Sequence, residues 1–442
     1  MKITLKIIFG SLTCFIIAGY LSQILWAQPA PIPYHQEPYH LHSGEHKNIE
    51  SAIKLVDSKV VRAPGSPWMQ LHFGDYNLGK RSYITITSLK DGIHERLNHN
   101  SMTKCRKSSV YFNGDAVKVE LLVAPGEKNI FFSLVEISVG EWVGAPESIC
   151  GQDDRVSSTD PRVGRIIPVG CTGWIVSNGA HLTAGHCQGS SMLWLQFNVP
   201  PSLPNGTIQH PPAEDQYAIT NIVGIDDGLG NDWAVFKCQP NLQTDLLPVQ
   251  AQEAFYRMTR DQSPSNVRVT GYGVDDDPPG TTGGNNSDSQ TLQTDTGSFL
   301  GEVVQGSSDI YIEYTVDTEG GNSGSPVIIP DSLITVGIHT NGGCNPPYQG
   351  NYGTSFENDS LENIIQIFPT FPEANIIYVD KDHPVVSEDG TIFRPYDTVA
   401  EAFNEASPGD VVSIVKGSYN EQMRISKAMT FSAPVGTVTI GK

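Results

Sequence analysis

Asp317-Thr318-Glu319-Gly320-Gly321-Asn322-Ser323-Gly324-Ser325-Pro326 is the stretch on which the reading of this chain turns. A serine among glycines marks a tight turn. Gly321 and Gly324 reach backbone conformations closed to other residues, and the small flank leaves the Ser323 hydroxyl reachable. In such a turn the amides of Gly321 and Ser323 can point at one spot, the arrangement that holds an oxyanion. Gly/Ser clusters also make ordinary loops, so the partners of Ser323 decide its meaning.

Two upstream segments supply partners. Cys171-Thr172-Gly173-Trp174-Ile175-Val176 leads to Leu182-Thr183-Ala184-Gly185-His186-Cys187, where a Cys171–Cys187 bridge would pin the loop carrying His186. Asn231-Asp232-Trp233-Ala234-Val235-Phe236 sets a carboxylate at the head of an apolar strand. Burying that charge is costly without a partner, and an imidazole needing orientation is one.

The order His186, Asp232, Ser323, with T-A-G-H-C, N-D-x-A-V and G-N-S-G-S-P-V around them, resembles the three signatures of trypsin-like serine proteases. The resemblance implies an all-β fold, a double antiparallel β-barrel over residues 148–368. His186 and Asp232 would come from the first barrel and Ser323 from the second. It also implies the roles: Ser323 as nucleophile, His186 as its base, Asp232 fixing the imidazole, and the Gly321 and Ser323 amides as oxyanion hole.

Within that family the details resemble the V8-type glutamyl endopeptidases, through residues 318–326 and Gly337-Ile338-His339. This implies that His339 and Thr318 form the base and wall of the S1 pocket, where an imidazole and a hydroxyl can hydrogen-bond a substrate Glu. Ile338, His339 and Thr340 would pair with the substrate backbone. Asp317 argues for something else, because trypsins keep an Asp six residues before the nucleophile to select Lys or Arg. Basic or broader specificity is therefore the alternative. Asn322 stands where trypsins use an Asp to hold a newly cut N-terminus. Arg165-Ile166-Ile167 lies too near Cys171 for a cut end to reach around the barrel. Glu147-Ser148 is the candidate processing site, with residues 28–147 as a propeptide that is removed or stays attached.

Lys2 and Lys6, the apolar run over 7–26 and Ala27 before a Pro-rich stretch read as a signal peptide over 1–27, with an uncleaved anchor as the alternative. A secreted protein is the consequence, extracellular or at the cell surface, with the periplasm also open. Past Cys14 the six remaining cysteines are then expected in disulfides, and Cys150 has Cys238 or Cys344 as its partner. A net charge of −20 repels nucleic acid and anionic membranes. Protein or peptide substrates are the expected partners. The Asp275-Asp276-Asp277 and Asp226-Asp227 runs carry no spaced calcium-ligand pattern, so neither metal nor cofactor is expected.

Outside the protease region, residues 28–60 read as a linker and 61–147 as a β-sandwich module, since short alternating strands are separated by Asn113-Gly114-Asp115 and Pro125-Gly126 turns. The sandwich loosely resembles the CUB-like or jelly-roll modules beside secreted enzymes. Residues 361–368 and 397–406 carry helical spacing. The tail over 375–442 resembles the opening of a parallel β-helix of the pectate-lyase kind. With about two rungs against the three that such stacks need, it must dock on the protease domain or belong to a longer protein. These flanking modules keep a second class of function in view, adhesion or carbohydrate binding.

Overall fold

The computed structural model describes residues 29–141, 147–260, 263–275, 286–305, 309–344, 350–368, 375–384 and 387–441, with Glu147 and Ser148 as backbone only. The leader expected over 1–27 lies outside the described residues.

The N-terminal module contains β1 (Tyr34–His42), β2 (Lys54–Arg62), β3 (Trp68–Asn77), β4 (Tyr83–Ser88), β5 (His94–Asn98), α1 (His99–Lys104), β6 (Phe112–Asn113), β7 (Ala116–Val123) and β8 (Phe131–Gly140). They form two sheets, ordered β1-β8-β3-β6 and β2-β7-β4-β5. Period-2 alternation sends Val117, Val119, Leu121 and Val123 of β7 into a core shared with Leu71, Phe73 and Leu134 of the other sheet. The expected linker over 28–60 is corrected here, because β1 and β2 are strands of this sandwich. β1 is mostly polar and exposed, and only Tyr39 and Leu41 near its end pack on the core, too short an alternation to read as a strand. Main-chain pairing to β8 holds it instead.

The sandwich is bound to the neighbouring module by more than chain continuity. Ala30 N–H donates to Gly170 O and Ile32 N–H to Pro168 O, both at 2.9 Å. Ile167, Trp194 and Ala213 of that neighbour belong to the sandwich's own apolar cluster.

The middle of the chain begins with β9 (Glu147–Ser148) and β10 (Val156–Ser157). β11 (Val163–Pro168), β12 (Cys171–Ile175), β13 (His181–Thr183), β14 (Met192–Gln196), β15 (Gln216–Asp226) and β16 (Asp232–Cys238) then close a barrel in the order β11-β12-β13-β16-β15-β14. After α2 (Pro248–Gln252) and β17 (Arg257–Met258) come β18 (Asn266–Gly271), β19 (Gln293–Val304), β20 (Ile310–Tyr314), β21 (Thr318–Glu319), β22 (Pro326–Ile329), β23 (Ile334–Asn341) and β24 (Asn351–Ser355). β18-β22-β23-β24-β20 forms a run, and β19 pairs with both of its ends to close a second six-stranded barrel. α3 (Asp359–Ile367) comes where helical spacing predicts it. The Asn358 side chain caps it by accepting from Leu361 N–H at 3.1 Å, and Leu361 and Ile365 are buried.

The tail holds β25 (Ile376–Val379), α4 (Val399–Glu405), β26 (Val411–Ile414), β27 (Gly417–Tyr419), β28 (Thr430–Ser432) and β29 (Val438–Ile440). Its pairings, β25-β26-β28 and β27-β29, are parallel. The ladder rests on the two barrels and α3. Ile376, Tyr378 and Val411 share a core with Val176 and Leu361, and Asp380 takes a two-pronged bond from Arg257 at 2.6 and 3.0 Å.

Candidate active site

His186 sits in a 3-10 turn, Gly185–Cys187, directly after β13, and the Cys171–Cys187 disulfide ties that turn to β12. Asp232 opens β16, the strand beside β13. Its carboxylate reaches across to the turn twice. Oδ2 lies 2.6 Å from His186 Nδ1, and Oδ1 accepts the His186 main-chain N–H at 2.9 Å. Asp232 is wholly buried, so these charge-assisted bonds are what make its ionised form tolerable there. The second barrel steadies it through Thr354, whose hydroxyl accepts from Asp232 N–H at 3.2 Å and donates to Asp232 O at 2.8 Å. On the other side of the ring, His186 Nε2 has no hydrogen-bond partner among the described residues.

Ser323 lies in the turn between β21 and β22, and the first barrel clamps that turn. Thr172 N–H donates to Ser323 O at 2.8 Å, Thr172 Oγ1 to Gly321 O at 2.9 Å and Trp174 Nε1 to Gly324 O at 3.1 Å. Cys187 Sγ stands 3.9 Å from Ser323 O, which places the serine main chain beside the His186 turn. Within the turn, Asn322, Gly324 and Ser325 spend their amides on the carbonyls of Glu319, His339 and Asn322. The two glycines are required by contact as well as conformation. Gly321 has φ +101° and Gly324 φ +90°; a Cβ would stand 2.4 Å from Tyr272 O in the first case and 2.1 Å from Thr183 Oγ1 in the second. The Asn322 side chain accepts from Glu319 N–H at 2.9 Å, so it closes its own turn.

The expected pocket residues separate. His339, on β23, is fully buried. Nδ1 lies 2.7 Å from the Tyr314 hydroxyl, which also reaches Tyr352 O at 3.2 Å, while Nε2 has no partner among the described residues. Burial, helped by the nearby His186, pushes this imidazole down to about 3, so it is neutral at physiological pH. Thr318 is buried and accepts from Asn351 Nδ2 at 2.9 Å; the same amide donates to Val316 O at 2.7 Å, and Asn351 Oδ1 takes Gly343 N–H at 2.8 Å. Tyr314 and Asn351 thus fix the side chains of His339 and Thr318, and no motif announces either of them.

Asp317 is not open to a substrate. Its oxygens accept the amides of Cys150 at 2.6 Å and Asp154 at 3.2 Å, so it anchors the segment leading into the first barrel. Burial, together with the Asp295 carboxylate, pushes it up to about 6 despite those two bonds. Ile338 is corrected as a substrate-pairing residue, because it is already paired with Pro326 on one side and Thr354 on the other. The irregularity between His339 and Asn341 leaves Thr340 outside that register. Glu147 and Ser148 pair with Glu319 and Thr318, next to the Ser323 turn. Arg165, by contrast, is buried inside β11, and a cut there would sever the barrel.

Cys150 bonds to Cys344, which closes the choice the spacing leaves open. Expecting all six cysteines in disulfides is corrected: Cys105 and Cys238 are buried thiols in the cores of different modules. No helix among the described residues is long and apolar enough to cross a membrane.

Two six-stranded barrels, with a buried His–Asp pair on the first and a glycine-bracketed serine on the second, define the trypsin-like serine protease fold. Residues 153–359, just under half of the chain, match the family described as Trypsin, in keeping with a hydrolase fold over that stretch. Three solved structures similar to it are proteases or their paralogues. The scabies mite inactivated protease paralogue S-I1 is 19% identical, with 48% of this chain and 99% of that one covered and a TM-score of 0.34. A thermostable serine protease from an extremophilic microorganism is 14% identical, covering 46% and 98%, at 0.33. The protease Anisep from Arthrobacter nicotinovorans is 15% identical, covering 46% and 93%, at 0.31. No curated protein matches the chain.

Proposed function

We propose that this protein is a secreted serine endopeptidase that cleaves peptide bonds after Glu through an acyl-enzyme on Ser323. The observation that carries the reading is the buried pair between His186 Nδ1 and Asp232 Oδ2 at 2.6 Å, next to the Gly321–Gly324 turn. With Nδ1–H held by the carboxylate, Nε2 keeps its lone pair and is the atom that takes the Ser323 proton. The hydroxyl oxygen attacks the scissile carbonyl, and the amides of Gly321 and Ser323 receive the oxyanion. His186 then returns the proton to the leaving amine, and water repeats the sequence on the ester. Each oxyanion donor is worth roughly 10²–10³ in rate.

Glu selection rests on His339. The Tyr314 hydroxyl has one proton and two acceptors in reach, Nδ1 at 2.7 Å and Tyr352 O at 3.2 Å; given to the nearer Nδ1, it leaves Nε2 protonated with no acceptor among the described residues, and a substrate carboxylate supplies one. Asp317 is spent on the Cys150 and Asp154 amides, which weakens the case for Lys or Arg. Substrate main chain would pair from Thr340 onward. The leader, the disulfides and the Glu147-Ser148 strand beside the site fit export and then self-processing. The test is labelling by a fluorophosphonate, lost in Ser323→Ala. A folded wild type that stays unlabelled would end the enzyme reading. Peptides ending in Glu and Lys test the pocket: His339→Ala should cut Glu cleavage by about 10²-fold or more while labelling persists.

A further inference from the structure

Between the first barrel and the C-terminal ladder lies a cavity of about 290 Å³. Its walls are mostly apolar, with Val249 on one side and Ile376 and Val411 on the other. Its polar walls are largely spent. The Asn178 amide donates to Ile365 O and Phe368 O, and the Tyr378 hydroxyl donates to Gln366 O at 2.9 Å. His181 is different. It is 1% exposed, stacks on Phe236 with ring centres 5.2 Å apart, and neither ring nitrogen has a hydrogen-bond partner among the described residues. Its one polar contact, to the Phe236 main chain, falls short of good hydrogen-bond geometry and favours the charged form; burial outweighs it and pushes the ring down to about 4, so it is neutral.

A buried polar group without a partner costs stability, and so does apolar space left unfilled. Both costs meet at one place, at a boundary between modules where ligand pockets commonly form. We infer that this cavity is a binding site for a small, largely apolar molecule bearing one neutral hydroxyl, such as a phenol or an alcohol. A neutral imidazole offers one donor and one acceptor, which a hydroxyl can meet from either side. A dry cavity of about 150 Å³ is enough for benzene, so the room here suits a two-ring body. The half-buried Lys237, Leu247, Ser432 and Pro434 form the mouth. The site is separate from the protease reading, although its floor uses strands β13 and β16, whose opposite ends lead to His186 and begin at Asp232.

The probes are 2-naphthol and naphthalene, titrated by fluorescence and calorimetry into full-length Ser323→Ala protein. Saturable one-to-one binding is expected, with 2-naphthol tighter by about fivefold, the gain of one neutral hydrogen bond. His181→Phe should erase that difference while naphthalene still binds. Ser432→Trp, at the half-buried mouth, should abolish binding of both with a native melting curve. Non-saturable binding, an unchanged preference in His181→Phe, or unchanged affinity in Ser432→Trp would each overturn the assignment. If His181→Phe does not fold, the wild-type preference and Ser432→Trp decide it.

Discussion

Replacing Asp232 by Asn tests the candidate site most directly, because the two side chains have the same shape. Asp232 accepts twice from one residue, from the His186 main-chain N–H at 2.9 Å and from Nδ1 at 2.6 Å. The main-chain donor cannot move, so the amide oxygen of Asn must stay on it. The NH₂ group then faces Nδ1, which has to present a lone pair. The imidazole proton is displaced to Nε2, the atom required to accept from Ser323. We expect kcat to fall about 10⁴-fold, equivalent to about 5.5 kcal/mol, with KM within a few-fold. Folding stability should drop by only about 1–2 kcal/mol as two charge-assisted bonds become neutral ones. Asp232→Ala should cost more, about 3–5 kcal/mol, since it leaves buried donors unpaired. Burst-phase ester hydrolysis gives the rate, calorimetry the stability, and ¹⁵N NMR of the His186 ring the tautomer. An Asp232→Asn enzyme within tenfold of wild type, with Nδ1 still protonated, would refute the reasoning.

Features away from that pair lead to other expectations. Glu95 is buried in the sandwich, accepts Val110 N–H at 3.0 Å, and is pushed by burial from 4.5 up to about 8. The folded protein keeps that proton through this window while the unfolded chain releases it, so stability falls as pH rises from 4.5 to 8 and then levels off. Glu95→Gln keeps the acceptor and should raise the melting temperature at pH 8 while leaving it unchanged near pH 4.5. Replacing Cys171 and Cys187 by Ala opens a loop of sequence separation 16 and should cost about 3 kcal/mol in denaturant unfolding, with a matching loss of activity as the His186 turn loosens. Thiol titration should find Cys105 and Cys238 only after denaturation, since both are buried. If cleavage occurs at Glu147, the sandwich should stay bound on gel filtration in native buffer, because Ile167, Trp194 and Ala213 lie in its core; a freely eluting fragment would show otherwise.

The features legible in the sequence are those in which a few adjacent residues carry the whole physical argument. The glycines flanking Ser323 are one case, since their conformation and contacts exclude any Cβ. The apolar strand behind Asp232 and the helical spacing of residues 361–368 are others. β1 failed that test because a strand held mainly by main-chain pairing leaves only a short pattern in its side chains, here Tyr39 and Leu41. The six cysteines failed it because pairing depends on distance, and Cys105 and Cys238 lie in different cores.

The 317–326 stretch by itself determines a serine in a glycine turn, since conformational freedom and side-chain size are local properties; its expected accessibility is corrected by the fold, which buries Ser323 completely. What Asp317 and His339 do there is set by tertiary structure alone. A carboxylate takes its role from the donors that reach it, and here the Cys150 and Asp154 amides arrive from residues far away in the chain. An imidazole takes its charge from burial and its tautomer from a neighbour, and Tyr314 becomes that neighbour only when β20, β23 and β24 close the second barrel.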